Sequence, residues 1–250
     1  MKTAWDYTNL AEAYLRRPEY APDAIQKMLE LTKVKPGDKV CDIGAGAAHL
    51  TLELLKYDLK VSAVEPNDAM RANGIKRTQK YPNVIWSEGI GEDTKLPSGE
   101  YKLVTFGSSF NVCDRQLALK ETNRILSSGG YFACMWNHRD LEDPLQQQIE
   151  EVIKNRITNY AYGTRREDQA SIIDESGLFQ TVQFVSGRID HQLLVEDFIE
   201  GWKSHGTVYR QSPELFDKII KEIREVVEAK QQTSITVPYV TRIWIAQTKK

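Results

Sequence analysis

The 250-residue sequence lacks several features that mark particular classes of protein. Its three cysteines, at positions 41, 113 and 134, are too far apart for a zinc motif or a disulfide framework, and no metal site is predicted. No apolar run approaches the roughly 20 residues that a membrane helix needs, and the N-terminus has no apolar signal core. The formal net charge is −2, without the basic excess of nucleic-acid binders. These absences predict a cytoplasmic protein with reduced cysteines that engages neither membranes nor nucleic acid.

What the sequence does contain is an alternation of β-prone and helical segments over its first 140 residues. Short apolar runs rich in β-formers are separated by stretches with helical spacing of their apolar residues. The predicted strands are residues 39–43, 59–65, 83–88, 101–107 and 131–136, and the predicted helices are residues 8–16, 23–33, 47–57, 68–79 and 114–126. This alternation predicts right-handed crossovers and a mostly parallel sheet that is covered by helices on both faces.

The pattern changes after residue 141. Helices are predicted at residues 144–159, 165–176, 195–204 and 213–231, an alternating strand at 181–193, and a last strand near the C-terminus. The two late strands can extend the sheet as an antiparallel edge, with the helices as a lid over its carboxyl end. Since no linker rich in Gly, Ser or Pro interrupts the chain, we expect one domain. Its parts are cap helices in 1–35, a nucleotide-binding core in 36–140, a lid and substrate region in 141–232, and a final strand in 233–250.

Two glycines lie one residue apart in KVCDIGAGAAHL, residues 39–50, between the first predicted strand and the next helix. In a doubly wound sheet, ligands bind at the carboxyl ends of the strands, so a nucleotide is expected at this turn. Glu65 ends the following strand, 21 residues after Gly44. A carboxylate at about that distance is typical of the group that holds ribose hydroxyls. Gly44, Gly46 and Glu65 together predict an adenosine-containing ligand, although the glycines alone would also fit an ordinary tight turn.

Two other nucleotide motifs can be compared with this stretch. The dinucleotide fingerprint G-x-G-x-x-G has a third glycine where this chain has His49, whose side chain would crowd a close helix–strand contact. This departure disfavours NAD. An ATP-binding P-loop is excluded because no G-K-[ST] follows the glycines.

The stretch VCDIGAGAAHLTLELL resembles the first motif of class I S-adenosylmethionine (SAM) methyltransferases, an acidic residue followed by G-x-G-x-G, with Ala48 in place of the last glycine. VEPNDAM resembles the family's second strand end, and ALKETNRILSSGGYFACMW resembles its helix, glycine turn and fifth strand. The resemblance covers residues 10–140 and is closest to the small-molecule branch, methyltransferase type 11, which includes trans-aconitate-type enzymes. It implies a Rossmann-like α/β fold, with a seven-stranded mostly parallel sheet, an antiparallel edge and a helical lid.

The resemblance also implies a site for SAM, with S-adenosylhomocysteine as the product. It places Glu65 at the ribose and Met70 near the adenine, with the adenine amino group at residues 91–93. Asp42 lies near the methionine ammonium. Arg17, in the RPEY element of the N-terminal cap, is a candidate for the methionine carboxylate, which a guanidinium binds bidentately. The full expected cofactor set is Tyr14, Arg17, Asp42, Gly44, Ala45, Gly46, Glu65, Pro66, Met70, Gly91, Glu92, Asp93 and Ser108. A solvated helix end at Arg17 and a solvated acidic loop at residues 92–93 remain open alternatives.

The acceptor is expected between the ends of the fourth and fifth strands and the lid, because methyl transfer requires alignment and the exclusion of water. Both strands end in polar clusters, GSSFN and WNHRD, and the lid segment NYAYGTRRED adds aromatic and basic residues. The expected substrate contacts are Tyr20, Ser109, Phe110, Asn137, Arg139, Tyr162, Trp202 and Tyr209. Such a set suits a small, partly planar or anionic acceptor. Arg139 could instead pair with Asp140.

The expected catalytic residues are His138, His205 and Asn111. Related methyltransferases often have a histidine where this chain has Asn111, and asparagine is not a useful base at neutral pH. His138 and His205 are therefore the candidate bases, because an imidazole pKa of about 6.5 suits proton transfer. If the acceptor must lose a proton, the rate should show an acidic limb near pH 6–7. A structural role is the alternative for His138, and it is the assignment for His49 and His191.

Four functions compete at this point. The leading prediction is a SAM-dependent methyltransferase that acts on N or O of a small-molecule metabolite, as a monomer or homodimer. A second function also uses SAM, but by intramolecular cyclisation or aminocarboxypropyl transfer with release of methylthioadenosine. A third is a nicotinamide-dependent oxidoreductase, and a fourth is a SAM-binding subunit without activity. Product analysis separates the first two, and NADH fluorescence tests the third.

Overall fold

The computed structural model describes residues 6–250, and its strands form one seven-stranded sheet. The strands are β1 Lys39–Ile43, β2 Lys60–Val64, β3 Val84–Ser87, β4 Tyr101–Gly107, β5 Leu126–Arg139, β6 Gln183–Leu194 and β7 Ser234–Gln247. Strands β1 to β5 pair in parallel, whereas β7 pairs antiparallel with both β5 and β6. The predicted fold class is confirmed, and each of the seven predicted strand segments is a strand.

Ten α-helices connect or cover the strands within residues 6–250. They are α1 Ala11–Tyr14, α2 Pro22–Thr32, α3 His49–Leu55, α4 Asp68–Thr78, α5 Arg115–Ile125, α6 Pro144–Arg156, α7 Ala170–Glu175, α8 Val195–Trp202, α9 Gly206–Gln211 and α10 Phe216–Glu228. Within this described part of the chain, no helix combines the length and the apolar character needed to cross a membrane. The helix predicted over 165–176 is shorter than expected. Asp168 Oδ1 accepts hydrogen bonds from Ala170 N at 3.0 Å and from Trp244 Nε1 at 2.8 Å, so the chain turns before α7 begins.

The strand order places a binding crevice at the centre of the sheet. The order is β3-β2-β1-β4-β5-β7-β6, so the chain moves outward from β1 to β3 and then returns to the other side of β1 for β4. The direction of winding therefore reverses between β1 and β4, and α/β proteins bind ligands at the carboxyl ends of such strands. Gly44 follows β1 and Ser108 follows β4 at this point.

Each face of the sheet carries its own apolar core. Because alternate residues of a strand point to opposite faces, Cys41 and Ile43 pack on one side and Val40 packs on the other. Helices α5 and α7 cover the first face, together with a cluster of phenylalanines from β4 and β5. Helices α2 and α3 cover the second face. The central parallel strands β1 and β4 are thus buried on both sides, as the sequence pattern predicted, whereas Ile85 of the edge strand β3 is 72% exposed.

The lid has a third core, built by α6, α8 and α10. The same cluster includes Ile235 and Val237 from the start of β7. Arg139, at the carboxyl end of β5, pairs with Tyr239 of β7, so this core lies at the carboxyl edge of the sheet. The lid is therefore anchored to the sheet next to the crevice.

Candidate active site

The turn after β1 contains two glycines with left-handed backbone, Gly44 at φ 67° and Gly46 at φ 55°. A side chain on Gly44 would meet the Cβ of Ser109 at 2.4 Å, so packing alone requires a glycine there. A side chain on Gly46 has more room, since its nearest neighbour would be the flexible methyl end of Met70 at 3.1 Å. Gly44 is therefore required because a side chain there would clash with Ser109, whereas the space beside Gly46 is less crowded.

Glu65 directly follows β2, and its carboxylate joins two backbone segments. Oε2 accepts a hydrogen bond from Gly46 N at 2.8 Å, and Oε1 accepts one from Asn67 N at 2.8 Å. The side chain is buried, and burial raises the pKa of its carboxyl group. The structure brings Glu65 to the glycine turn, as expected, and adds a role that the sequence did not indicate, because Glu65 also holds that turn in place.

A cavity extends from the glycine turn towards the lid. The expected site residues that line it are Tyr14, Arg17, Tyr20, Asp42, Gly44, Ala45, Gly46, Ser108, Asn137, His138, Arg139, Trp202 and His205. They come from the N-terminal cap, from the ends of β1, β4 and β5, and from the lid. These segments are distant in sequence but converge because the carboxyl ends of parallel strands share one edge of the sheet.

Asp42 lines this cavity and is fully buried at the end of β1. Its Oδ2 accepts a hydrogen bond from Thr51 Oγ1 at 2.7 Å, and its Oδ1 accepts one from Thr105 Oγ1 at 3.2 Å. Burial raises the pKa of the Asp42 carboxyl to about 7, because desolvation outweighs the two hydroxyl donors. A cation in the cavity would favour the ionised carboxylate and lower this pKa again.

The N-terminal cap is tied to the lid across the cavity. Arg17 Nε donates to Ser204 Oγ at 2.9 Å, and Arg17 Nη2 donates to the Ser204 carbonyl oxygen at 2.7 Å. The guanidinium lies 4.3 Å from the ring centroid of Tyr14. Tyr20 and Ser108, which also line the cavity, share a hydrogen bond of 3.0 Å between their hydroxyl groups. The alternative that Arg17 is a solvated helix end is therefore wrong.

The two candidate bases line the cavity, but both are neutral near pH 7. Burial, together with the nearby charges of Arg166 and Arg165, lowers the pKa of His138 to about 3. His205 stacks on Trp202 with a centroid distance of 4.8 Å, and burial lowers its pKa well below 6.5. The expected acidic limb near pH 6–7 assumed an unperturbed imidazole, and neither environment leaves the imidazole unperturbed. The structure corrects that expectation.

Three residues expected at the acceptor pack or bond within the protein instead, and none of them lines the cavity. Phe110 is fully buried among the phenylalanines of β4 and β5. Ser109 donates its hydroxyl to the Ile43 carbonyl at 2.5 Å. Asn111 accepts a hydrogen bond from Trp136 Nε1 at 2.9 Å through its amide oxygen. The chain turns inward after β4, so the polar cluster GSSFN contributes only Ser108 and its flanking glycine to the cavity.

The expected lid contacts do not all reach the cavity either. Trp202 lines it, with the Arg139 guanidinium 4.4 Å from the ring centroid. Tyr162 lies outside the lining, because its hydroxyl donates to Glu150 of α6. Tyr209 also lies outside the lining and is 40% exposed. These two placements correct the expectation for Tyr162 and Tyr209.

Arg139 pairs with α6 and not with its neighbour Asp140. Its Nη2 lies 2.6 Å from Glu150 Oε1, and its Nη1 donates to Gln146 Oε1 at 2.9 Å. Asp140 pairs with Arg188 at 3.2 Å. The local salt bridge considered from the sequence is wrong, because α6 packs over the end of β5 and presents a buried carboxylate to Arg139.

The comparisons with known proteins agree with this geometry. Residues 41–134 match the family model of a methyltransferase domain. An uncharacterized methyltransferase of Mycobacterium bovis is 30% identical over 146 residues, which are 56% of this chain and 56% of the relative. Both matches describe a methyltransferase, and residues 41–134 run from strand β1 through the glycine turn into strand β5. The demethylmenaquinone methyltransferase of Staphylococcus carnosus is 29% identical over 114 residues, 44% of this chain and 47% of the relative. The chain thus spans about half the length of each of these relatives.

The fold of the methyltransferase domain is also found in solved structures. Phosphoethanolamine N-methyltransferase 2 of Haemonchus contortus, in complex with S-adenosyl-L-methionine, superposes with a TM-score of 0.55 at 15% identity. The match covers 97% of this chain and 57% of that chain, and at this identity it concerns the fold alone. SAM is the cofactor of the methyltransferase family whose model residues 41–134 match.

The residues expected around the ribose and adenine of SAM do not line the cavity. They are Glu65, Pro66, Met70, Gly91, Glu92 and Asp93. Met70 packs against Ala47 in a small apolar cluster. Glu92 accepts a hydrogen bond from Asp114 N at 2.6 Å, and Asp93 pairs with a lysine two residues on. Both acids of this loop therefore have partners within the protein, and their contact with adenine stays a prediction.

Several residues that line the cavity were absent from the expected set. Arg165 and Arg166, noted only as basic residues of the lid segment, line it, as do His49, His191 and Tyr239. Burial lowers the pKa of His49 to about 3. The RR pair in NYAYGTRRED was a usable signal. No sequence signal marked His191 on β6 or Tyr239 on β7, because the antiparallel register decides which residues of these strands reach the cavity.

Proposed function

We propose that this chain is a SAM-dependent methyltransferase that transfers a methyl group to a nitrogen or oxygen of a small-molecule metabolite. One observation carries the proposal: a single cavity, which the lid also lines, contains the buried carboxylate of Asp42, the open turn at Gly46 and the guanidinium of Arg17. A carboxylate and a guanidinium match the ammonium and carboxylate of the methionine part of SAM. The family match over residues 41–134 supports the same reading.

Each of these residues has a defined task in this proposal. When bound, SAM supplies a methyl group on a positively charged sulfur. Asp42 ionises against the cofactor ammonium, and Arg17 donates to the cofactor carboxylate. Each carboxylate oxygen of Glu65 accepts one backbone N–H and keeps acceptor capacity for a ribose hydroxyl.

Catalysis in this site rests on alignment and the exclusion of water. Because burial lowers the pKa of both His138 and His205, their imidazoles are weak bases, and their role in this proposal is to orient the acceptor by hydrogen bonds. The Staphylococcus carnosus relative is named for a quinone, demethylmenaquinone. Five arginines line the cavity of this chain, which favours a small polar acceptor over an apolar one.

The test of the cofactor assignment is calorimetry with S-adenosylhomocysteine on the wild-type protein and on Glu65→Ala. The substitution leaves two hydroxyls unmatched, so we expect a loss of about 1–3 kcal/mol in binding free energy. Glu121→Ala is the matched control, because Glu121 is also a buried carboxylate that accepts a backbone N–H, but its donor is Thr94, at 2.9 Å, and not the glycine turn. Equal affinity of Glu65→Ala and the wild type would remove the ribose assignment.

The reaction type is tested by mass spectrometry of the products formed from SAM in a metabolite screen. Methyl transfer releases S-adenosylhomocysteine, whereas cyclisation or aminocarboxypropyl transfer releases methylthioadenosine. S-adenosylhomocysteine together with an acceptor heavier by one methyl group supports the proposal. Methylthioadenosine as the main product would contradict it.

A further inference from the structure

The lid side of the cavity carries more positive charge than the protein neutralises. We propose that the acceptor bears an anionic group, a carboxylate or a phosphate, and that Arg165 and Arg166 bind this group. The inference rests on the proposed function, since it names the substrate class of the same site.

The charges that line the cavity are unequal, with five arginines and a single acidic residue, Asp42. Arg16 and Arg139 have carboxylate partners at 3.4 and 2.6 Å. Within residues 6–250, no carboxylate oxygen lies within 4.0 Å of Arg165 or Arg166, the distance that defines an ion pair. Two guanidinium groups therefore face the same cavity without an ion-pair partner in the described part of the chain.

Hydrogen bonding gives an independent sign of a missing partner. Nε of Arg165, Nε of Arg166 and Nε2 of His138 are buried and make no hydrogen bond. Among the residues that the structure describes, eight buried side-chain atoms lack a partner, and four of them, including His49 Nε2, belong to residues lining this cavity. Buried polar groups without partners are costly, so a cluster of them indicates a ligand that satisfies them. The guanidinium groups of Arg165 and Arg166 are hydrogen-bond donors, so an anion is the ligand that can satisfy them.

Contacts with neighbouring residues hold the Arg166 guanidinium in place. The Arg166 guanidinium lies 4.5 Å from the ring centroid of Tyr162, and its Nη2 donates to the Arg139 carbonyl at 3.4 Å. Burial lowers the pKa of Arg165 to about 10. An anion next to this guanidinium would reverse that shift, because an opposite charge favours the ionised form.

The cofactor itself does not neutralise this pair. In the proposed function its carboxylate meets Arg17 and its ammonium meets Asp42, while its sulfonium adds one further positive charge. An anionic acceptor balances that charge before transfer.

The test is calorimetry on protein saturated with S-adenosylhomocysteine, titrated with succinate, inorganic phosphate and the uncharged succinamide at low ionic strength. We expect succinate or phosphate to bind and succinamide not to bind, and the better anion identifies the group. Arg165→Gln should weaken that binding at least about tenfold, and Arg165→Lys should restore part of it. Arg156→Gln is the charge-matched control, because Arg156 pairs with Glu222 at the surface and does not line the cavity. Arg166→Gln serves if Arg165→Gln does not fold.

The outcomes separate this inference from the proposed function. Equal binding of succinate and succinamide, no binding of either anion, or unchanged affinity in the arginine variants would overturn the anionic acceptor. The proposed function falls instead if the wild-type protein does not bind S-adenosylhomocysteine. In that case the anion titrations on the unloaded protein still decide whether Arg165 and Arg166 form an anion site.

Discussion

Burial decides which ionisable groups of the site change charge near neutral pH. It raises the pKa of Asp42 to about 7 and lowers that of His138 to about 3. Both shifts have the same cause, since desolvation disfavours the charged form of an acid and of a base alike. The group that titrates near neutrality in this site is therefore a carboxylate and not an imidazole.

Asp42 should make cofactor binding depend on pH. Pairing with the cofactor ammonium needs the ionised carboxylate, so at pH 6 binding should release close to one proton, and affinity should fall up to about tenfold per pH unit below 7. Calorimetry of S-adenosylhomocysteine binding in buffers of different ionisation enthalpy measures the proton count. Asp42→Asn should release no proton, and release of the same number by both proteins would assign the titration elsewhere.

The raised pKa of Asp42 affects folding stability in the opposite direction: a rise in pH favours cofactor binding but lowers the free energy of unfolding. The pKa of folded Asp42, about 7, lies above the unfolded value of about 3.9, so folding favours the protonated form. The contribution of protonated Asp42 to the free energy of unfolding is fully present below about pH 4 and is lost as pH rises through 7. His138 and His205, whose folded pKa values are lowered, contribute no limb to a rate profile between pH 6 and 8.

Helix α2 shows how local signals set the ends of an element. It begins with Pro22 at its first position, where the missing N–H costs nothing. It ends at Lys33, which has left-handed backbone at φ 54° and donates its N–H to the Glu30 carbonyl at 3.2 Å. Val34 N reaches the Leu29 carbonyl at 3.3 Å, which completes a C-terminal cap normally built around glycine.

Lys33→Gly should therefore stabilise the protein by about 0.5–1 kcal/mol. Lys33 is exposed, so removing its side chain loses little buried area. Glycine avoids the steric penalty of the left-handed conformation, and its greater loss of backbone entropy on folding offsets part of this gain. Lys27→Gly, in the interior of the same helix, should cost about 1 kcal/mol. Urea unfolding of both variants tests this, and a decrease in both would contradict the cap argument.

The cap, the sheet and the lid contact one another in this molecule. Ser204 is fully buried and receives two hydrogen bonds from Arg17, and the lid core continues into β7. The cavity lies between these parts, so closing it needs no separate hinged domain. Opening it requires breaking the contact between cap and lid.

Ser204→Ala should loosen the cavity without unfolding the lid. It removes one of the two acceptors of Arg17, so we expect about 1 kcal/mol weaker binding of S-adenosylhomocysteine and faster hydrogen exchange in the cap. Ser212→Ala is the control, because Ser212 is also buried but bonds only locally, to Glu214. Equal effects of the two substitutions on affinity would show that the cap–lid contact does not matter for binding.

The sequence by itself determined the fold class, the order of the strands along the chain and the place of the glycine turn. These follow from local patterns: apolar spacing distinguishes strands from helices, and glycines allow the left-handed turn at Gly44 and Gly46. The position of Glu65 after the second strand was readable for the same reason. The resemblance to a methyltransferase family rested on these local features, and the family match covers the same region.

Only the tertiary structure decided which side chains meet in the cavity. Ser108 faces it while Phe110, two residues later, is in the core, because the chain turns inward after β4. Arg139 pairs with Glu150 because α6 packs over its strand, and Tyr239 reaches the site through an antiparallel register. A local pattern specifies backbone conformation, whereas burial, charge partners and pKa values depend on what distant segments pack against each residue.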